Sequence, residues 1–546
     1  MTTSVKTDRK RLREDAIAYL GETGLLCRNQ PRTSNTKDLA TINEQTLQKL
    51  WAAILDISSD MIDSQSNWID LGADSLLTIK LVDCASQEGL LISIQDVLQN
   101  PNLAALATVA KLGSVPTRQE ALEPFTLLGD DQIARQKIIQ NVLSQYDHLG
   151  TPITAIQDIY RCIDDQAQSI HLSANRKGNL TMQIEFTESD PEQFCNAWCM
   201  MVQDTPILRT EIVEIEDHYF QVVMKTEAPV IVCPSRPPHG TDIWGFKKPL
   251  VQLIWEADSD RFTILFHHVL HDGFSLELFL QRLEAAYEGN RSPSTYPYNL
   301  FLKWTSEIGP CVDEFWKKRF ATYDASRDIF PPLPCPEYEP RGSSMLEKKV
   351  KMPQHSTHRT TVESKLRLAL AAAVAYATND QDVVFGIHIA RRDAPLPGIA
   401  HISGPTSASL PVRIQLHEGE TLQEALDAVH TQALESIPYQ CAEPSHISTL
   451  SSGTKAACQF RTSLMLLPEY SNTRSDRIAK WQFHEPGFYY WSLCFVAQVE
   501  RGGIVIWAFF DDEMVAASQV QGMLDRMGTV LDLIEQKPET RIGGIS

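Results

Sequence analysis

The stretch "WIDLGADSLLTIKL", residues 68–81, sets a glycine, an acidic residue and a serine directly before an apolar helical run. Leu76, Ile79 and Val82 can face one way with Leu77 and Leu81 beside them, so a helix begins at Asp74 or Ser75. Gly72 frees the backbone to turn before it. Asp74 and Ser75 fall where side-chain oxygens cap a helix and where its dipole favours a phosphate ester. Taken alone, Ser75 reads as an N-cap.

The surroundings change that reading. Upstream, "INEQTLQKLWAAILDIS" (42–58) places Leu47, Leu50, Trp51, Ile54 and Leu55 on one helical face. Downstream, "ISIQDVLQN" (92–100) is a short helix stopped by Pro101, and "NLAALATVAKLG" (102–113) is another, ended by Gly113. Four helices in so short a span make a small bundle. The unit 41–112 resembles the carrier (thiolation) domain of nonribosomal peptide synthetases. Leu71, Gly72, Asp74, Ser75 and Leu76 fill that family's pattern. The resemblance implies that a phosphopantetheinyl transferase attaches 4′-phosphopantetheine to Ser75, and that its terminal thiol holds an acyl group as a thioester.

A second stretch, "LFHHVLHDGFS" (265–275), follows a strand-like run, "RFTILF", and precedes a helix, "FSLELFLQRLEAAYEG", ended by Gly289. His267 and His268 point to opposite sides if the strand continues, and no cysteine or carboxylate stands at zinc-like spacing, so no metal site is expected. A satisfied core histidine is the ordinary alternative. The stretch resembles the condensation-domain motif, two histidines, three variable residues, aspartate and glycine, filled by His267, His268, Asp272 and Gly273. Further segments resemble that family in order: "IQDIYRCIDDQ", with Arg161 and Ile163 replacing the usual proline and threonine, "PILRTEI", "DEFWKKRF", "DVVFGIHIARRDAPLPGIAHISGPTSASLPVRI" and "ESIPYQ".

The resemblance places His267, His268, Asp272 and Gly273 in the catalytic set. It implies that His268 takes the proton of an amine or hydroxyl as that group attacks an acyl thioester. A neutral imidazole suits this task. Asp272 holds the loop by pairing with an arginine, for which Arg413 of "LPVR" is the candidate. The Gly273 N–H polarises the thioester carbonyl. His271 is a variable position and is read as incidental. No serine or cysteine nucleophile is expected, because the thioester is already activated.

The expected fold is multidomain. Residues 1–40 form a tail or linker, 41–112 an all-α four-helix carrier and 113–145 a linker. Residues 146–320 and 321–546 form the N-lobe and C-lobe of a two-lobed α/β condensation domain resembling chloramphenicol acetyltransferase. In both lobes strand-like runs alternate with amphipathic helices. The chain has 546 residues and a formal charge of −20, which argues against nucleic acid or anionic membrane as general partners. No run of eighteen apolar residues exists and the N-terminus lacks a signal-peptide core, so a cytoplasmic protein with no membrane span is expected. Cys195 and Cys199, four apart on a run read as a helix, read as buried free thiols. Lys348, Lys349 and Lys351 read as a solvated strand edge rather than a phosphate receiver.

No adenylation or thioesterase motif is recognised, so an acyl-loading (adenylation) enzyme acting in trans is expected. That free-standing carrier–condensation order resembles the ester-forming condensation protein of fumonisin biosynthesis. It implies a fungal acyltransferase of secondary metabolism, even of mycotoxin type, that condenses the tethered acyl group with a hydroxyl on a small polyketide-like acceptor. The alternatives are an amide-forming or a terminal, cyclising condensation domain of a nonribosomal peptide pathway, and a non-catalytic scaffold that docks carriers. Epimerisation shares the histidine motif, but its additional glutamate-containing motif is not recognisable.

Overall fold

The computed structural model describes residues 41–73, 75–113, 122–146, 152–174, 180–187, 190–225, 230–233, 241–256, 261–290, 296–351, 360–396, 398–467, 492–500 and 503–544. The expected tail at 1–40, Asp74 and the side chain of Ser75 lie outside the described residues. The fold is a small helical bundle followed by a two-lobed α/β body. The bundle comprises α1 (Ile42–Leu55), α2 (Ser75–Gln87), β1 (Leu90–Leu91), α3 (Ile94–Gln99), α4 (Leu103–Val109) and β2 (Lys111–Leu112). Thr41 and Glu44 form a capping box at α1, and Ser93 and Asp96 form another at α3. The apolar faces read from the sequence meet in a core where Leu47, Trp51, Trp68, Leu81, Leu103 and Leu106 are sealed from solvent. The indole Nε1 of Trp68 donates to Thr78 Oγ1 at 2.9 Å, tying the loop before α2 to the helix it introduces.

The N-lobe begins earlier than expected. The stretch 113–145 contains most of α5 (Gln132–Tyr146), whose Ile139, Val142 and Tyr146 pack on a sheet, so this part is no linker. The lobe continues through β3 (Ile156–Arg161), α6 (Asp164–Ala174), β4 (Thr181–Thr187), α7 (Pro191–Asp204), β5 (Thr210–Ile215), β6 (His218–Met224), β7 (Val230–Cys233), β8 (Val251–Glu256), β9 (Arg261–His267), α8 (Gly273–Tyr287), α9 (Tyr298–Ser306) and α10 (Pro310–Arg319). One sheet runs β3-β6-β5 and the other β4-β9-β8-β7. Strand β9 is interior, flanked by β4 and β8, and buried from Phe262 onward. A strand held on both edges gives the histidines at its end a fixed starting point. On α7, Cys195 is partly buried but Cys199 is exposed, so the expected buried thiol pair is corrected: the helix turns its second cysteine outward.

The C-lobe holds β10 (Ser344–Lys351), α11 (Val362–Thr378), β11 (Asp382–Ile389), β12 (Ala408–Gln415), α12 (Leu422–Ser436), α13 (Pro444–Ile447), α14 (Ser452–Ala457), β13 (Thr462–Leu467), β14 (Leu493–Glu500), β15 (Gly503–Phe510) and α15 (Ala517–Gln536). Its strands order β10-β15-β14-β13-β11-β12, with β13 parallel to both neighbours. Helices α11 and α15 pack together over this sheet, and a buried Lys365–Glu535 ion pair lies between them at 2.5 Å. On edge strand β10, Lys348 pairs with Asp525 at 2.8 Å.

Among the contacts that join the parts are an inter-lobe hydrogen bond and two seats for the bundle. Asp164 at the start of α6 accepts from the Ser445 N–H at 2.6 Å, linking the lobes. Helix α2 of the bundle rests against the turn Ile399–His401, and α3 against α12. At the first of these, His401 Nε2 lies 3.0 Å from Asp83 Oδ2. A partly exposed pair of this kind contributes about 0–1 kcal/mol, a light dock.

Candidate active site

Strand β9 ends at His267 and the chain turns at once into a 3-10 segment, His268–Leu270. This break decides the fate of the two histidines. His267 is sealed, with 0 % of its surface exposed. Its Nδ1 accepts from the Val269 N–H at 3.2 Å, which leaves Nε2 to donate to Ser173 Oγ at 3.0 Å. One ring nitrogen holds the turn and the other holds α6, and burial pushes the ring's pKa down to about 3. His267 therefore ties the turn before His268 to α6.

His268 differs. Its surface is partly open, and its backbone N–H donates to Leu180 O at 2.9 Å. Burial of the ring, and next the nearby His388, push its pKa down to about 4. The ring is thus neutral at physiological pH, with its proton-accepting nitrogen unprotonated. His271, a variable position of the motif, is buried, and its ring lies 4.5 Å from that of Phe266 and 4.8 Å from that of His268.

Asp272 caps α8. Its Oδ1 accepts from the Ser275 N–H and hydroxyl, each at 2.7 Å, and its Oδ2 from the Thr406 N–H at 2.9 Å. The expected arginine partner is corrected. Arg392 Nη2 lies 3.0 Å from both carboxylate oxygens, whereas Arg413 pairs with Asp382 at 2.7 Å. Arg413 stands on β12 diagonally across from Asp382 on β11, so it is held within the sheet and cannot reach the turn. Burial raises the Asp272 pKa, but Arg392 and the Thr406 and Ser275 donors outweigh it and hold the carboxyl at about 2. Arg392 also donates to the carbonyls of Ile399, Ile402 and Gly404. The adjacent Arg391 adopts φ 48, a rare backbone state for a side chain of its size, and is fixed by Thr406 O, Ser407 O and Glu443. Sequence reading passed over this arginine pair. Two arginines directly after a buried strand were the available signal.

Gly273 is exposed at the first position of α8, and a Cβ built there meets nothing within 4 Å. Packing within the described residues therefore does not require glycine here. Gly273→Ala should not lower the melting temperature, because alanine is the better helix former and its Cβ meets nothing within 4 Å, yet it should lower turnover at least tenfold. Thermal unfolding and single-turnover rates measured on the same sample check this.

In the bundle, Gly72 takes φ +94 with no atom near its missing Cβ, and Ser75 opens the thirteen-residue helix α2. A left-handed glycine, clear space and a helix N-terminus fit a phosphodiester at Ser75.

The condensation-domain family model matches residues 247–545, and the phosphopantetheine attachment site model matches residues 45–110. The chain belongs to the condensation-domain family. Its bundle is a phosphopantetheine carrier, and the cofactor implied for it is covalently attached 4′-phosphopantetheine. It is 30 % identical over 566 residues to a nonribosomal peptide synthetase, ungA, of Aspergillus violaceofuscus, covering 98 % of this chain and 6 % of that protein. It is 28 % identical to nonribosomal peptide synthetase 6 of Cochliobolus miyabeanus, covering 100 % of this chain and 32 % of the other. The chain thus spans a minor part of these relatives. The fold is shared with the crystal structure of holo T3CT (TM-score 0.60, 16 % identity, 77 % of this chain and 99 % of the other). It is also shared with the condensation domain of the monacolin K polyketide synthase MokA (TM-score 0.54, 12 % identity, 71 % and 100 %). Condensation-domain catalysis makes the chain a bond-forming transferase. Among the described residues no helix is long and apolar enough to cross a membrane.

Proposed function

We propose that this condensation domain transfers an acyl group from the carrier to an amine or hydroxyl nucleophile in fungal nonribosomal peptide assembly. The reading is carried by one contrast: His267 is closed on both ring nitrogens, while His268, one residue on, is neutral and partly open. When bound at Ser75, phosphopantetheine supplies a thiol that holds the acyl group as a thioester. His268 accepts the proton of the attacking nucleophile. The exposed N-terminal end of α8 at Gly273 offers backbone N–H groups to the carbonyl oxygen as it gains charge. Asp272 and Arg392 keep the turn in place and touch neither reactant. No acyl-enzyme is required, since the chain's own residues need only orient the nucleophile and take its proton.

Amide formation or cyclising release is the reading favoured by the relatives, which are named nonribosomal peptide synthetases. Ester formation on a polyketide-like hydroxyl, as in the fumonisin-type arrangement, rests on the carrier–condensation order alone and stands second. A phosphopantetheinyl transferase and an adenylating enzyme are the partners this chemistry calls for.

Treatment with a phosphopantetheinyl transferase and coenzyme A should add one phosphopantetheine to the wild-type chain and none to Ser75→Ala, as read by intact-protein mass spectrometry. An unmodified wild-type chain beside a labelled control carrier would refute the reading.

A further inference from the structure

Asp165 stands in the first turn of α6 in the N-lobe, and α6 packs against the turn that carries His268. His388 stands near the end of β11 in the C-lobe. The His388 Nδ1 lies 3.7 Å from Asp165 Oδ2 and 3.2 Å from Ser409 Oγ. This pair crosses the seam between the lobes, from the helix that packs against the turn at 268–270. Both members are felt by His268: His388 lowers its pKa and Asp165 raises it. Neither is sealed, with side chains 24 % and 12 % exposed. The other carboxylates nearby are committed elsewhere. Asp164 holds Ser445, and Glu443 holds Arg391 at 2.6 Å. The Nε2 of His388 makes no hydrogen bond to any described residue.

From this geometry we infer that His388, oriented by Asp165, is a second substrate-contacting imidazole that selects a neutral primary amine as the acceptor. The inference rests on the condensation reading above and deepens it. In this assignment Nδ1 carries the proton, toward Ser409 Oγ with the Asp165 carboxylate beyond, and Nε2 is left as a hydrogen-bond acceptor. A neutral primary amine carries two N–H bonds. One points to His268, which removes that proton as the C–N bond forms and the C–S bond breaks. The other points to His388 Nε2 and aligns the nitrogen lone pair on the carbonyl carbon. The proton taken by His268 then passes to the departing thiolate, so charge and protons balance. A hydroxyl has one O–H, which His268 alone uses, so His388 adds nothing to its alignment.

The full-length chain loaded with acetyl from acetyl coenzyme A by a phosphopantetheinyl transferase, offered butylamine or butanol, tests this. His388→Gln and Asp165→Asn should each slow transfer to butylamine about ten- to a hundredfold, the scale of one well-placed hydrogen bond. Transfer to butanol should stay at the wild-type rate, and the effect of the double variant should fall short of the product of the singles. The amine KM should rise with little change in melting temperature, which a merely structural pair would not give. The inference is overturned if the variants slow both nucleophiles equally, if they slow neither, or if the wild-type chain transfers acetyl to neither probe. If His268→Ala leaves the wild-type rates unchanged, the condensation reading itself fails.

Discussion

Substituting His268 by alanine should lower bond-forming turnover by about 10²–10⁴-fold, the range lost with a general base. The acyl-loaded carrier should still accumulate, because loading involves Ser75 in a separate bundle. Single-turnover decay of that species separates the two effects. The pH dependence carries the same signature. Burial disfavours the charged imidazolium, so the base form of His268 survives down to about pH 4. Turnover by the wild-type chain should hold steady across neutral pH and fall only as pH drops through about 4, well below the 6.5 of a free histidine. Folding stability moves earlier. The unfolded chain binds protons at its histidines from about pH 6.5, while buried His267 and His268 resist until about 3 and 4. Their contribution to stability is therefore lost progressively below about pH 6.5. A limb in the rate near pH 6.5 that is absent from the stability curve would contradict the assignment.

Arg392→Ala should destabilise the chain by about 3–5 kcal/mol, the cost of leaving one member of a buried ion pair alone. Asp272 would keep only the Thr406 and Ser275 donors, and three backbone carbonyls between Ile399 and Gly404 would lose theirs. Denaturant unfolding of the purified chain reads this directly. Arg413→Ala breaks a different pair, with Asp382, and should cost stability without altering the turn. Below its unfolding temperature, Arg413→Ala should retain turnover while Arg392→Ala loses it. The Asp272 carboxyl, held at about 2, stabilises the fold above its unfolded value near 4. That share should disappear as pH falls from about 4 to 2. Equal loss of turnover in the two arginine variants would mean that Asp272 is not the partner that matters.

The features legible in the sequence were local. Helix faces in the bundle, the strand before His267 and the Asp272–Gly273 start of α8 each follow from residues within a few positions of one another. The partner of Asp272 lies 120 positions away, and a motif-based choice settled on the wrong arginine. What separates Arg392 from Arg413 is the loop after β11, which folds back on itself, and no periodicity announces that. Helix α5 was legible in principle: Ile139, Val142, Leu143 and Tyr146 repeat at helical spacing, yet the polar residues between them resemble a linker. The packing of His271 was hidden for another reason. A histidine's packing against another ring depends on the turn at 268–270, which a strand-based reading does not contain.

The segment from Gly398 to Ser407 is anchored at both ends to different things. At His401 it meets Asp83 of the bundle. At Gly404 and Thr406 it grips Arg392 and Asp272, and Tyr298 fastens it at Pro405 O from α9. A berth for the carrier and a brace for the chemistry are thus a few peptide units apart on one strip of backbone. A bundle seated at this berth therefore leans on the same strip of backbone that keeps the turn at Asp272 in shape.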